Sequence, residues 1–403
     1  MKSLIRTDIF ILKKFLHLLN REMVPLEIID VHGNRYRTGR KEIKHRLHIR
    51  DNKFFKALVS PDAFALGDAY VNGYFDVSGN IKELYGLVCN TFLNRDRRKN
   101  ILQRLAPFFQ NDEIREKENI KYHYDVPSVF YRRFLGRTMG YTCGYYPGTD
   151  TTRDEAQSHK MDMVCRKLRL KKDEYLLDIG CGWGSFAVHA ATRYGVRVKG
   201  ITLSREQKKY ADEQIKKLGL SGQVEIQLLN YRHLGTEIFD KISCIGMSEH
   251  VGRKNMPGFF SRVNKCLRPG GLFMQHTITT NEERKKGYEN SFLDRYMFPG
   301  GELMFEHELL EIAEQTGFEL LNAENFRPHY VRTLNDWIHG METDKNRLLE
   351  VVSEHVYRIY HIFFIGSMVS FRQKEISLFQ NLFYKTNAGV EGTQPFHSPW
   401  GEP

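Results

Sequence analysis

Residues 175–184 read Tyr175-Leu176-Leu177-Asp178-Ile179-Gly180-Cys181-Gly182-Trp183-Gly184. A short apolar run that stops at a glycine cluster reads as a buried strand entering a tight turn. Residues 185–194 follow with helical character, so the glycines stand where a strand hands over to a helix. Toward the C-terminus the same alternation recurs. The spacing predicts strands over 196–203, 224–229, 241–247 and 271–278, and helices over 205–218 and 256–267. Such alternation predicts an α/β fold, a doubly wound and mostly parallel sheet of Rossmann-like type.

The flanks read differently. Residues 1–115 are expected to form a smaller N-terminal domain, 116–386 the domain that carries the chemistry, and 387–403, with Gly, Pro, Ser and Thr, a disordered tail. A charged run over 111–119 reads as a linker or an exposed helix, and 346–382 shows long helical periodicity. Near the start, Ile11, Leu12, Phe15, Leu16, Leu18 and Leu19 fall near one helical face, with Lys13, Lys14 and Asn20 opposite. That face can lie on a bilayer surface or pack on the protein's own core. No stretch approaches the roughly 20 apolar residues of a membrane-spanning helix. The apolar part of 9–19 is broken by Lys13, Lys14 and His17 and does not read as a secretory signal. A cytoplasmic protein is expected. The six cysteines (Cys89, Cys143, Cys165, Cys181, Cys244, Cys266) form no CxxC pair, so neither a zinc site nor a disulfide framework is expected.

The net charge is +11 and the pI about 9.2, which suits a polyanionic partner, nucleic acid or an anionic membrane face. Between 31 and 50 the cations Arg35, Arg37, Arg40, Lys41, Lys44, Arg46 and Arg50 are opposed only by Glu42; a second cluster is Arg95, Arg97, Arg98 and Lys99. Neither is interleaved with the aromatics of a single-strand binder. No N/D-P-P-Y segment of a nucleic-acid methyltransferase is present, so no nucleic-acid partner is expected.

The glycine loop has the pattern GxGxG, not the GxGxxG of a dinucleotide binder. With Asp178 ahead of it, it is typical of an S-adenosylmethionine site; the alternative is a tight structural turn. The next strand ends without the acidic residue that would hold a ribose, which leaves Thr202 and Gln207 as candidates for hydroxyl and carboxylate contacts. Asn230-Tyr231-Arg232, after the third strand, is placed to frame an adenine.

Several separated segments together resemble cyclopropane-fatty-acyl-phospholipid synthase and its mycolic-acid relatives. They are Tyr122-His123-Tyr124-Asp125, Tyr141-Thr142-Cys143-Gly144-Tyr145-Tyr146, the loop Leu177 to Gly184 and Gly200 to Gln207. Ser248-Glu249-His250-Val251-Gly252, Gln275-His276-Thr277-Ile278, Phe298-Pro299-Gly300-Gly301 and Pro328-His329-Tyr330 complete the set. Upstream, Ala65-Leu66-Gly67-Asp68-Ala69-Tyr70 with Gly73 and Asp76 is similar to the extra N-terminal domain of the phospholipid enzyme, which favours phospholipid over mycolate.

The resemblance implies a seven-stranded methyltransferase fold and transfer of the sulfonium methyl to a cis double bond of an unsaturated acyl chain. A bound bicarbonate deprotonates the resulting cation and the ring closes. The positions implied to hold bicarbonate are Cys143, Glu249, His276, Ile278 and Tyr330, with Cys143 and Ile278 through backbone groups. Those implied for the cofactor are Tyr141, Thr142, Leu176, Leu177, Asp178, Ile179, Gly180, Cys181, Gly182, Trp183, Gly184, Thr202, Gln207, Tyr231 and Arg232. A membrane-surface lipid substrate and a homodimer are also implied. Taken singly, Cys143 reads as a small core residue, His276 as a core histidine, Tyr330 as packing and Glu249 as a cap. Asn230 and His233 depart from the family's acidic residues, and Ser248 stands where it has Phe. A methyl-branching enzyme and a small-molecule N-methyltransferase remain as alternative outcomes.

Overall fold

The structure is a computed structural model that describes residues 6–21, 24–39, 42–60, 65–88, 126–282, 292–297 and 302–386. Residues 95–99, 111–119, 122–125, 298–301 and 387–403, each singled out above, lie outside the described residues. Those within 1–121, 290–297 and 352–369 form one compact unit; those within 122–289, 298–351 and 370–403 form another.

In the first unit, β1 (Leu26–Ile29), β2 (Arg35–Thr38), β3 (His45–Ile49) and β4 (Phe75–Ser78) form a sheet in the order β2-β1-β3-β4. The helix Arg6–Arg21 buries Ile11, Leu12, Phe15 and Leu19 in one core with Leu26, Leu47 and Phe54. Its apolar face therefore packs on the protein's own core, while Ile9 and Phe10 stay exposed. The helix Glu354–Gln373 contributes Arg358, whose guanidinium donates to the carbonyls of Tyr70 and Phe75 at 3.1 and 3.2 Å and to Asp76 Oδ1 at 2.5 Å.

In the second unit, β5 (Tyr175–Ile179), β6 (Arg197–Thr202), β7 (Val224–Leu228), β8 (Phe239–Ile245), β9 (Leu267–Thr280), β10 (Phe318–Asn325) and β11 (Ile376–Lys385) form one sheet. Its order is β10-β11-β9-β8-β5-β6-β7. The pairs β5·β6, β6·β7, β5·β8 and β8·β9 are parallel; β9·β11 and β10·β11 are antiparallel. The mostly parallel sheet expected from the alternation is present, with each parallel strand within a few residues of its predicted range. The periodicity over 346–382 is not all helix: helices Lys345–Leu349 and Glu354–Gln373 give way to β11. Lys374, at φ +63, makes the left-handed turn that glycine usually supplies, so the sequence shows no breaker there.

The two faces of this sheet bury different residues. Leu176, Val198, Ile226, Met274 and Leu382 pack under the helices Arg153–Lys167 and Ser185–Tyr194. Leu177, Ile179, Ile242, Phe273 and Phe383 pack under the helix Met256–Cys266. Because β6 and β8 flank β5, the sheet is wound outward in both directions from β5. The crevice at the carboxyl ends of β5 and β8 is the topological switch point where such sheets bind ligands.

Candidate active site

The glycine loop leaves β5 at this switch point. Gly180 and Gly184 have φ of +79° and +80°. A Cβ on Gly180 would lie 2.5 Å from Met247 Cβ, and one on Gly184 would lie 2.9 Å from Ala211 Cβ. Gly182 differs: its φ is +54° and a Cβ there would meet nothing within 4 Å. The loop is thus pinned at both ends and open in the middle. The N–H groups of Gly180 and Cys181 both donate to the Ile201 carbonyl at 3.0 Å. Gly184 begins the helix Ser185–Tyr194 without a side-chain cap, so its first turn presents N–H groups, the usual recognition site for an anionic or electron-rich ligand.

The other expected cofactor residues collect around the same carboxyl ends. Thr202 closes β6 and donates to Gln207 Oε1 at 2.7 Å. Tyr231 and Arg232 occupy a single 3₁₀ turn after β7, where Asn230 Oδ1 accepts from Arg232 N at 3.0 Å and the guanidinium lies 5.0 Å from the Tyr231 ring centroid. Asn230 thus supplies a helix cap where the resembled family has an acid. Trp183 meets the rings of Tyr131 and Tyr210, each at 5.4 Å, and Tyr141 packs between Tyr131 and Trp337. Leu176, Leu177, Ile179 and Cys181 bury their side chains in the two cores. Asp178 is buried, accepts from Ser243 Oγ at 2.8 Å, and is pushed up to about 6 by burial, against the pull of Lys160.

Beneath the site runs a helix that the alternation did not single out, Arg153–Lys167. Thr152 and Glu155 cap it reciprocally: Thr152 N donates to Glu155 Oε2 at 2.9 Å and Glu155 N to Thr152 Oγ1 at 3.4 Å. Its buried face carries polar residues. Gln157 Nε2 donates to the Thr142 carbonyl at 2.6 Å, and Lys160 Nζ to Thr142 Oγ1 at 2.7 Å. Burial lowers Lys160 to about 8, opposed by Cys143 and Asp178. Lys167 Nζ donates to Glu324 Oε2 and to Gln380 Oε1.

The second group of expected residues also converges. Glu249 follows β8 in the 3₁₀ turn Ser248–His250, and its Oε1 accepts from the Ile278 N–H at 2.8 Å. Burial pushes Glu249 up to about 7. Two residues along β9 from Ile278, His276 is buried and held well below its ordinary value by burial, with Lys160 and Lys167 adding to the effect. The Tyr330 phenol is raised by burial, and both Cys143 and Glu249 are near enough to reinforce it. Cys143 is buried; its Sγ donates to the Gly144 carbonyl, and its thiol is raised by burial. Two atoms in this cluster, Glu249 Oε2 and His276 Nε2, are sealed from solvent with no hydrogen-bond partner among the described residues. The Ile278 N–H is committed to Glu249 and fixes its carboxylate.

A profile of the mycolic acid cyclopropane synthetase family matches residues 111–381. The chain is 35% identical over 372 residues to a probable fatty acid methyltransferase of Pseudomonas putida, covering 91% of this chain and 93% of that protein. It is 30% identical over 350 residues to the cyclopropane-fatty-acyl-phospholipid synthase of Escherichia coli K12, covering 86% and 88%. The crystal structure of mycolic acid cyclopropane synthase CmaA1 complexed with SAH and CTAB superposes with a TM-score of 0.62 at 30% identity, covering 66% of this chain and 97% of that one. Sheet order, glycine loop and these matches define an S-adenosylmethionine-dependent methyltransferase. The chain belongs to the mycolic acid cyclopropane synthetase family. The open space over Gly182 and the uncapped helix start fit that co-substrate.

Proposed function

We propose that this enzyme transfers the methyl group of S-adenosylmethionine to a cis double bond of an unsaturated acyl chain in a membrane phospholipid and closes a cyclopropane ring. The observation that carries this reading is the pair of orphaned buried atoms, Glu249 Oε2 and His276 Nε2, beside the crevice that holds the glycine loop. Methylating an amine leaves no carbocation that a bound base must deprotonate. Methylating an alkene does. The sulfonium carbon–sulfur bond breaks with its electron pair on sulfur, and the alkene π pair forms the new carbon–carbon bond. The other alkene carbon is left cationic. Loss of a proton from the added methyl then closes the ring.

The residues present fit a small anion. Glu249 Oε2 would accept from its hydroxyl, His276 would donate to an oxygen, and the Tyr330 hydroxyl and the Cys143 backbone would complete its contacts. Bicarbonate bound there would supply the base for the ring-closing proton. The protein's own part is to orient that base, to keep water from the cation, and to hold Glu249 through the Ile278 N–H.

The similarity to a probable fatty acid methyltransferase over 91% of the chain favours a second product, a methyl branch formed when the cation loses a different proton. We assign catalysis to 116–386 and an accessory lipid-associated role to 1–115, in a homodimer bound peripherally to the inner face of an anionic membrane. Mass spectrometry of cis-unsaturated phospholipid vesicles after incubation with labelled S-adenosylmethionine tests the proposal. One labelled CH2 gained with the olefin lost by NMR, and both abolished in Glu249→Ala, is expected. A methylated chain that stays unsaturated selects the second product. No lipid label despite cofactor binding overturns the lipid assignment.

A further inference from the structure

The imidazole of His276 is held from behind by a chain of side chains that spans three elements. Gln380 on β11 pairs with His276 on β9 in the antiparallel register, so both side chains stand on the same face of the sheet. Gln380 Nε2 lies 3.1 Å from His276 Nδ1. Gln380 Oε1 lies 2.9 Å from Lys167 Nζ, and Lys167 Nζ lies 2.8 Å from Glu324 Oε2. Lys167, Gln380 and His276 are all buried.

The polarity of this chain has one solution. An ammonium group has donors only, so the amide atom facing Lys167 must be the oxygen. That turns the NH2 group of Gln380 toward the imidazole. An amide nitrogen cannot accept, so His276 Nδ1 must accept and carry no proton. Burial and the nearby Lys160 and Lys167 keep the ring neutral. A neutral imidazole has one N–H, which falls on Nε2. Nε2 is the atom without a partner among the described residues. The opposite tautomer would set two N–H groups against each other, or would turn the amide so that its NH2 faced the Lys167 ammonium.

We infer that Lys167 and Gln380, anchored by Glu324, are positioning residues that set the tautomer of His276 so that its Nε2–H donates into the reaction site. The inference deepens the proposed function and rests on it for the identity of the acceptor, a small anion, but not for the tautomer itself. The interposed amide passes on the orientation of the lysine without bringing its charge against the imidazole. The site thus gains a neutral donor of fixed direction rather than a proton that could leave with the base.

The test reads the tautomer directly. Two-bond ¹H–¹⁵N correlations are recorded on the full chain labelled with ¹⁵N-histidine, without substrate or bicarbonate, and His276 is assigned by its absence in His276→Gln. The wild type should show a protonated Nε2 and an unprotonated Nδ1. In Lys167→Met the amide is free to turn, so an Nδ1–H population should appear and lipid turnover should fall by about tenfold or more, with the SAH dissociation constant within about twofold. Gln380→Leu serves as a second variant with the same expectation, and Lys167→Arg should restore the wild-type pattern. An Nδ1–H tautomer in the wild type, or an unchanged tautomer in both Lys167→Met and Gln380→Leu, overturns the inference. If the tautomer behaves as expected while bicarbonate-depleted enzyme runs at full rate, the proposed base fails and the positioning role stands.

Discussion

In the proposed function, Glu249 joins the chemistry to the stability of the protein. Burial raises its folded-state pKa to about 7 from an ordinary 4.5. Between those values the folded state binds more protons than the unfolded chain, so this group lowers stability as pH rises. The loss is complete above about pH 7 and amounts to about 3 kcal/mol at most. Glu249→Gln is nearly isosteric, keeps an oxygen for the Ile278 N–H and cannot titrate. Its melting temperature should therefore gain on that of the wild type as pH is raised from 5 to 8; a constant difference across that range would show that Glu249 does not titrate there. The same variant presents a donor where Oε2 accepts, and turnover on vesicles should fall by about 10²-fold or more. At this scale the sequence was informative in an uneven way. Cys143, Glu249, His276 and Tyr330, the residues of the proposed site, stand out because each sits in a short motif. Lys167 and Gln380 are not, because they lie 213 positions apart and nothing local marks a lysine or glutamine as buried.

The strand-to-helix turn after β5 shows why elements differ in legibility. Glycines at fixed intervals announce a left-handed backbone, and the structure separates their roles. Gly180→Ala would drive a Cβ into Met247 Cβ, the rigid root of that side chain, and should lower stability by about 2–4 kcal/mol. Gly182→Ala adds only backbone strain of about 1 kcal/mol, because nothing of the protein is within 4 Å, but it fills the open part of the loop. Thermal melts should therefore barely move for Gly182→Ala while calorimetry shows its SAH affinity reduced at least tenfold. Equal affinity in that variant would place the co-substrate elsewhere. The helix Arg153–Lys167 is less legible, because part of its buried face is Gln157, Lys160 and Lys167 rather than apolar, which blurs the amphipathic period. The strand β11 merges with the preceding helical pattern because Lys374, not glycine or proline, makes the turn between them.

Across the whole chain, two features require distant segments or summed charge. The first is Arg358, which ties a late helix to Tyr70 and to Phe75 and Asp76 of β4. Arg358→Met removes the donor for two carbonyls and one partner of a carboxylate that Arg358 and Arg50 hold below its ordinary pKa against the cost of burial, so it should destabilise this unit by about 3 kcal/mol or more. Hydrogen exchange should then rise in β3 and β4. The second is the net charge of +11. The exposed arginines of the first sheet look like a lipid-docking face, yet Arg37 and Arg46 both pair with Glu27, and Arg50 pairs with Asp76. Part of the local charge is thus already matched, and the membrane attraction proposed above would have to come from the sum over the protein. Such attraction is screened within about 10 Å at 0.1 M salt. Binding to vesicles rich in anionic lipid should fall at least tenfold between low salt and about 0.5 M, and neutral vesicles should bind weakly throughout. Binding that ignores salt would instead point to apolar insertion. The first test of that route is Phe10→Ser with Ile9→Ser, since these two side chains are 39% and 41% exposed on a helix whose other face is already spent on the core.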